Sequence, residues 1–411
     1  MVLLQTHRWP AVLLGIAASV VGCGRDSANT NDPAGIAATE SDTVLPAAAI
    51  NAPPHLADEE IRVTPPQPGT PESVLLQIIR LSQQPIPESD DLDVLRAARR
   101  ERNTEIIALA TDVIAQTHSN PAKEQVFNTA VHRLMESTYQ LALQGDRDRV
   151  DELYGHAEAL HDRDPASRAA VEANWVVARF ANEQAERFDK NRLSWLQSFS
   201  RQALVFADRF PHEQERAVRL LDEAAASCDA HALIDEATQC YAMLREKFPN
   251  APQAEQAIGP LRRLNLPGKR LDLGGPTLDG GFIDPSMFAN RPALIVFWST
   301  QAKPFLDSAS LIIRTAAKYE SQSLQVVGVN MDTDETAVDA FLVKSGADWK
   351  NIFHTDPARR GWNSPVASYY GVRTIPQLWL IDARGTVVST TVQPRDLDAA
   401  LARLIPLRAA R

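Results

Sequence analysis

The chain has 411 residues, 44% of them hydrophobic, with 42 basic against 52 acidic side chains and a formal net charge of −10. That length suits two domains better than one, and the apolar content is enough for ordinary cores. The acidic balance, with no long run of basic residues, argues against nucleic acid or an anionic membrane surface as a partner.

The first 22 residues read as a targeting segment. His7 and Arg8 give a weakly positive start, and Trp9 to Gly22 is an apolar run too short to span a bilayer. It ends Val20-Val21-Gly22-Cys23, which resembles the lipobox of bacterial lipoproteins. In that family the chain is cut before the cysteine, whose sulfur then carries a diacylglycerol. The resemblance therefore implies lipidation at Cys23 and an exported chain, anchored to a membrane and facing the periplasm. Disulfides persist outside the cytoplasm, and with Cys23 lipidated only Cys228 and Cys240 remain as thiols. Residues 23–70 are rich in Ala, Pro, Asp, Asn, Ser and Thr without apolar periodicity, which reads as a disordered tether.

Residues 71–266 carry a helical pattern. Ile106, Ala110, Val113 and Ile114 share a face, as do Phe127, Val131 and Leu134, then Val150, Tyr154, Ala157 and Leu160, then Leu233, Ala237, Tyr241 and Leu244. Pro121, Pro165, Pro211 and Pro249 each close a helical stretch. Before each proline the same offsets recur: Leu244, Tyr241 and Ala237 before Pro249, Phe206, Ala203 and Phe199 before Pro211, and Leu160, Ala157 and Leu153 before Pro165. Pro121 has Gln116, Val113 and Leu109. The pattern resembles the second helix of tetratricopeptide repeats, and Glu236 to Pro249 matches it best. Such helical hairpins present a concave surface to proteins or peptides, or act as a plain spacer. Cys228 and Cys240 fall on apolar stripes and read as small core hydrophobes. A disulfide between them is disfavoured: with the second helix starting near His231, Cys240 lies on the order of 13 Å along it, beyond the roughly 7 Å Cα limit.

Residues 267–411 read as a separate fold. Gly280-Gly281 reads as a turn within Leu271 to Asp284, and Ala293 to Trp298 is an apolar run suited to a strand buried on both faces. Ser299 and Thr300 supply cap-type hydroxyls, Pro304 fits a first helical turn, and Phe305, Ala309, Ile312, Ile313 and Ala316 share a helix face. Further strands are expected at Leu324–Met331, Trp349–Phe353 and Gly385–Val392, with helices over Asp334–Ser345 and Leu397–Leu404.

Phe297-Trp298-Ser299-Thr300-Gln301 and Tyr369-Tyr-Gly-Val-Arg-Thr-Ile-Pro-Gln-Leu-Trp-Leu-Ile-Asp382 together resemble the thioredoxin-like fold, specifically TlpA/ResA-type (redoxin) exported thiol-disulfide proteins. In that family a Cys-x-x-Cys motif follows Phe-Trp, with proline before the second cysteine. Aligned without gaps, the motif positions here are Ala302, Lys303, Pro304 and Phe305, so both cysteines are replaced. Disulfide exchange needs an attacking thiolate and a resolving thiol, and neither residue offers one. Thioredoxin's buried aspartate just before Phe-Trp is Val296 here. The resemblance implies a cis bond at Ile375-Pro376 and a groove for extended substrate formed by Thr374, Ile375 and Pro376 beside Trp298.

Other constellations carry less. His354, Asp356, Arg359 and Arg360 read as a solvated loop rather than a metal site. A peroxiredoxin Thr-x-x-Cys fails because Lys303 follows Thr300 at that spacing. Ser299 and Thr300 have no sequence-evident base beside them. No phosphate-cradling glycine loop, zinc set or dinucleotide fingerprint occurs, so no cofactor or metal is expected. The expected architecture is α plus α/β: a helical-hairpin, tetratricopeptide-like module over 71–266, then a thioredoxin-like central sheet flanked by helices over 267–411. The expected role is non-enzymatic binding or scaffolding of other envelope proteins or peptides. The alternative is thiol-disulfide exchange of the TlpA/ResA type using Cys228, Cys240 or partner thiols.

Overall fold

A computed structural model of the chain describes residues 66–187 and 189–405. The targeting segment, Cys23 and most of the expected tether lie outside the described residues. By its contacts the chain divides into two compact units after Ala173.

The first unit holds α1 (Pro71–Gln83), α2 (Leu92–Thr117), α3 (Glu124–Leu143), α4 (Arg147–Arg163) and the start of α5 (Arg168–Arg187). Local chemistry sets the starts: the Thr70 hydroxyl accepts from the Ser73 amide ahead of Pro71, and the Asp91 carboxylate accepts from the Asp93 amide. Ile106, Ala110, Val113 and Ile114 on α2, and Phe127, Val131 and Leu134 on α3, are buried as their spacing predicts. On α4 the buried stripe runs through Leu153, His156, Ala157 and Leu160, while Val150 and Tyr154 are only half-buried.

The second unit continues α5 and adds α6 (Arg192–Arg209), α7 (Gln214–Ala230), α8 (Ile234–Lys247), α9 (Pro252–Gln256) and α10 (Ile258–Leu264). The four prolines singled out in the sequence follow the ends of α2, α4, α6 and α8. Leu244, Tyr241 and Ala237 are fully buried, as are Phe206, Ala203 and Phe199, so the recurring offsets mark the packed face.

The sheet part starts with the hairpin β1 (Gly275–Pro276) and β2 (Phe282–Ile283). Next come β3 (Ala293–Trp298), α11 (Lys303–Lys318), β4 (Gln325–Asn330), α12 (Glu335–Ser345), β5 (Lys350–Ile352), α13 (Pro365–Tyr370), β6 (Gln377–Ile381), β7 (Val387–Val392) and α14 (Leu397–Leu404). The five-stranded sheet has the order β5-β4-β3-β6-β7, with β3, β4 and β5 parallel and β6 antiparallel to both its neighbours. All six residues of β3 are buried. Its alternate side chains feed two cores: Ala293, Ile295 and Phe297 pack with Tyr370 and Trp379, while Leu294, Val296 and Trp298 pack with Ile312, Tyr319 and Leu401. The observed architecture is helical followed by a mixed sheet flanked by helices.

Candidate functional site

The turn after β3 is held by a carboxylate that the sequence pattern did not single out. Ser299 Oγ donates to Asp332 Oδ1 at 2.7 Å, Thr300 Oγ1 to the same oxygen at 2.9 Å, and the Thr300 amide to Oδ2 at 2.9 Å. Asn330 Nδ2 adds a fourth group at 2.8 Å, and its Oδ1 accepts from the Asp332 amide. Asp332 is 2% exposed, so this is a buried carboxylate satisfied by several short donors. The hydroxyls of Ser299 and Thr300 therefore do not cap α11. The N-cap is Ala302, with no side-chain cap, and Ser299 Oγ accepts instead from the Gln301 amide at 3.0 Å, ahead of the helix.

Phe305 is completely buried, its ring 5.3 Å from Trp298 and 5.6 Å from Phe341, and those two rings lie 5.1 Å apart. The three form one aromatic cluster under the first turn of α11. Trp298 is fixed from its other end, its Nε1 donating to Asn351 Oδ1 at 2.8 Å. Gly328 makes that bond possible: a Cβ there would lie 1.8 Å from Asn351 Oδ1. Ala302 is half-buried, and Lys303 is exposed on an i,i+4 pair with Asp307.

The Ile375–Pro376 bond is cis. β6 pairs Gln377 with Phe297, so the proline sits level with Trp298 at the end of the sheet where the Ser299–Ala302 turn lies. Thr374 is exposed, whereas Ile375 and Pro376 are half-buried, with Ile375 packed on the core around Trp379. The structure thus brings Trp298, Ala302, Phe305 and Pro376 to one end of the sheet.

The two described thiols are elsewhere. Cys228 and Cys240 are free and fully buried on α7 and α8, with sulfurs 3.7 Å from the Leu196 carbonyl and 3.9 Å from the Ser200 carbonyl. Burial pushes the Cys228 thiol up to about 12 and raises that of Cys240 as well. Such thiols are poor nucleophiles.

The loop over His354 to Arg360 is solvated at Asp356 and Arg359, which are exposed, but not at His354 and Arg360. His354 is 8% exposed, and burial pushes its pKa down. Arg360 folds back over the Phe353 ring at 4.4 Å, donates to the His354 carbonyl at 2.7 Å and pairs with Glu335. Asp356 caps the short turn that follows, accepting from the Ala358 amide. Arg360 reaches back 25 residues to Glu335, a contact that no local pattern encodes. Among the described residues, no group of three or more His, Cys, Asp or Glu side chains is placed to hold a metal.

No curated protein matches the chain. Among solved structures, the thioredoxin domain of a thiol-disulfide oxidoreductase from Bacteroides vulgatus is 16% identical, over 34% of this chain and 97% of that one, with a TM-score of 0.31. A protein described as a thiol:disulfide interchange protein DsbE from Chlorobium tepidum is 26% identical, over 34% and 94%, with a TM-score of 0.29. DsbF from MTB is 20% identical over 33% and 96%, with a TM-score of 0.28. Residues 290–387 match the protein family described as thioredoxin-like. Taken with the strand order and the proline at the end of β6, that match makes the C-terminal part of this chain a thioredoxin-like domain.

Proposed function

We propose that this is an exported protein, lipid-anchored through Cys23, whose thioredoxin-like domain is redox-inactive and which binds or scaffolds other proteins or peptides of the cell envelope. One observation carries the reading. Phe305, on which the second motif position falls by the resemblance to thiol-disulfide proteins as the first falls on Ala302, is locked between Trp298 and Phe341. The turn is built as a packed structure, not as an accessible nucleophile. Thiol-disulfide exchange through the helical thiols is less well supported, because Cys228 and Cys240 are buried and held protonated. The faces available for binding are the helical surface and the half-exposed Thr374–Pro376 segment.

Two assays test this. Insulin reduction by dithiothreitol should proceed at the uncatalysed rate, and a rate that depends on Cys228 or Cys240 would overturn the inactive assignment. The chain from residue 66 onward, immobilised and exposed to envelope extract, should retain specific proteins, and retention should weaken when Thr374 is replaced by a bulky residue or when helical surface residues are changed. A clean blank would leave only a spacer.

A further inference from the structure

We propose that the thioredoxin-like domain serves as the C-terminal cap of the helical region, so that helices α7, α8 and α10 depend on it for their fold. Helices paired in series leave an unpaired end face, and such arrays need a terminal element to cover it. Here the cover is the segment Tyr369–Arg373, which leads from α13 into the cis proline.

The contact is close at the backbone. A Cβ on Gly259 would lie 2.6 Å from the Gly371 amide nitrogen, and one on Gly371 would lie 2.1 Å from Pro260 Cδ. Gly371 also has φ +59°, so both its conformation and its surroundings call for glycine. Arg262 lies over the Tyr369 ring at 3.6 Å and donates to the Tyr369 carbonyl. Arg373 donates to Asp222 at 3.1 Å and stands 5.6 Å over the ring of the fully buried Tyr241. Beneath them Arg263, with a side chain 1% exposed, pairs with Asp229 on α7.

No free linker separates the two parts. The Gly268 amide donates to the Val387 carbonyl at 2.8 Å, the Val387 amide returns to Lys269 at 2.8 Å, and Leu271 donates to Gly385 at 3.1 Å. The connecting chain is thereby laid against β7. Consistently, the contact division of the chain falls inside the helical region, at Ala173, and leaves α6 to α10 in one compact unit with the sheet. Domains on a flexible connection divide at the connection.

A cap differs from an independent neighbour in one measurable way: weakening it unfolds what it covers. Ile312 is fully buried on the far side of the sheet from Gly371. Hydrogen exchange of the full chain carrying Ile312→Ala should show loss of protection in α11 and a matching loss in α8 and α10, about tenfold or more. A second pair of variants isolates the contact. Gly371→Ala and Gly346→Ala both place a side chain at positive φ, but nothing lies within 4 Å of the Cβ at Gly346. Gly371→Ala should expose α8 and α10 to exchange about tenfold more than Gly346→Ala does. Unchanged protection of α8 and α10 in Ile312→Ala, while α11 loosens, would overturn the proposal, as would equal behaviour of the two glycine variants.

Discussion

Placing sulfurs at positions 302 and 305 gives the sharpest check on the geometry of the turn. In Ala302→Cys/Phe305→Cys the two cysteines stand three apart at the start of α11, within bridging range for a helix N-terminus. The cost comes from Phe305, whose ring is fully buried against Trp298 and Phe341. Truncating such a phenylalanine to alanine costs about 3–5 kcal/mol, and cysteine returns one heavy atom, so the reduced variant should lose about 2–4 kcal/mol. Closing a four-residue loop restricts the unfolded chain by roughly 2 kcal/mol on the chain-entropy model. The oxidised variant should therefore recover about half the loss. At about 2–4 °C per kcal/mol for a unit of this size, the reduced form should melt near 10 °C below the parent and the oxidised form near 5 °C below it. Differential scanning calorimetry in the presence and absence of dithiothreitol reads both values. Thiol titration of the denatured chain lacking Cys23 should fall from four groups to two on oxidation. A folded variant that keeps four thiols under oxidising conditions would show that positions 302 and 305 do not face each other across the turn. A loss below about 1 kcal/mol would show that Phe305 is not a core residue.

Asp332→Asn leaves one acceptor oxygen where the carboxylate accepts from the Ser299 and Thr300 hydroxyls, the Thr300 amide and Asn330 Nδ2, and should cost about 2 kcal/mol or more in urea unfolding. A change under about 0.5 kcal/mol would mean that the clamp carries no weight. Native protein lacking Cys23 should show no reaction with Ellman's reagent at pH 8, and two thiols after denaturation, since Cys228 is pushed up to about 12 by burial. Rapid native reaction would refute the burial of these thiols. His156 is pushed down from its ordinary 6.5 to about 4, by burial first and by Arg149 second. Its neutral form is the folded form, so the unfolded chain takes up a proton that the fold excludes. The contribution is intact above pH 6.5 and is lost as pH falls toward 4, by about 3 kcal/mol at the limit. Urea midpoints at pH 7 and pH 4.5 should diverge more for the parent than for His156→Gln. Equal divergence would assign the acid sensitivity to other groups.

Elements whose shape follows from neighbours in sequence were legible. The unbroken apolar run Ala293–Trp298 can only be satisfied as a strand covered on both faces, and β3 spans those six residues. The prolines at 121, 165, 211 and 249 lack an amide for the helix ladder, and helices end just before each of them. The site was legible only in outline. Asp332 reaches Thr300 from 32 residues away, Asn351 reaches Trp298 from 53, and Arg373 meets Asp222 across 151. Nothing in the local pattern distinguishes Asp332 from Asp334, which caps α12 two residues later. His354 and Arg360 failed in the same way, because a charged loop looks solvated until its long side chains find carbonyls and a ring to cover.

The same separation explains how the turn keeps its shape with Ala302 and Phe305 at its helical end. A disulfide that closes a loop of four residues contributes only about 2 kcal/mol on the chain-entropy model, less than one that closes a longer loop. What shapes the turn is independent of thiol chemistry: the register of β3 with β6, Pro304 in the first helical turn, and the Asp332 clamp on Ser299 and Thr300. Phe305 belongs to the core, where it adds a ring to the cluster of Trp298 and Phe341. That packing favours permanence. A residue that must leave the core for the site to react opposes reactivity by the same few kcal/mol that it contributes to folding.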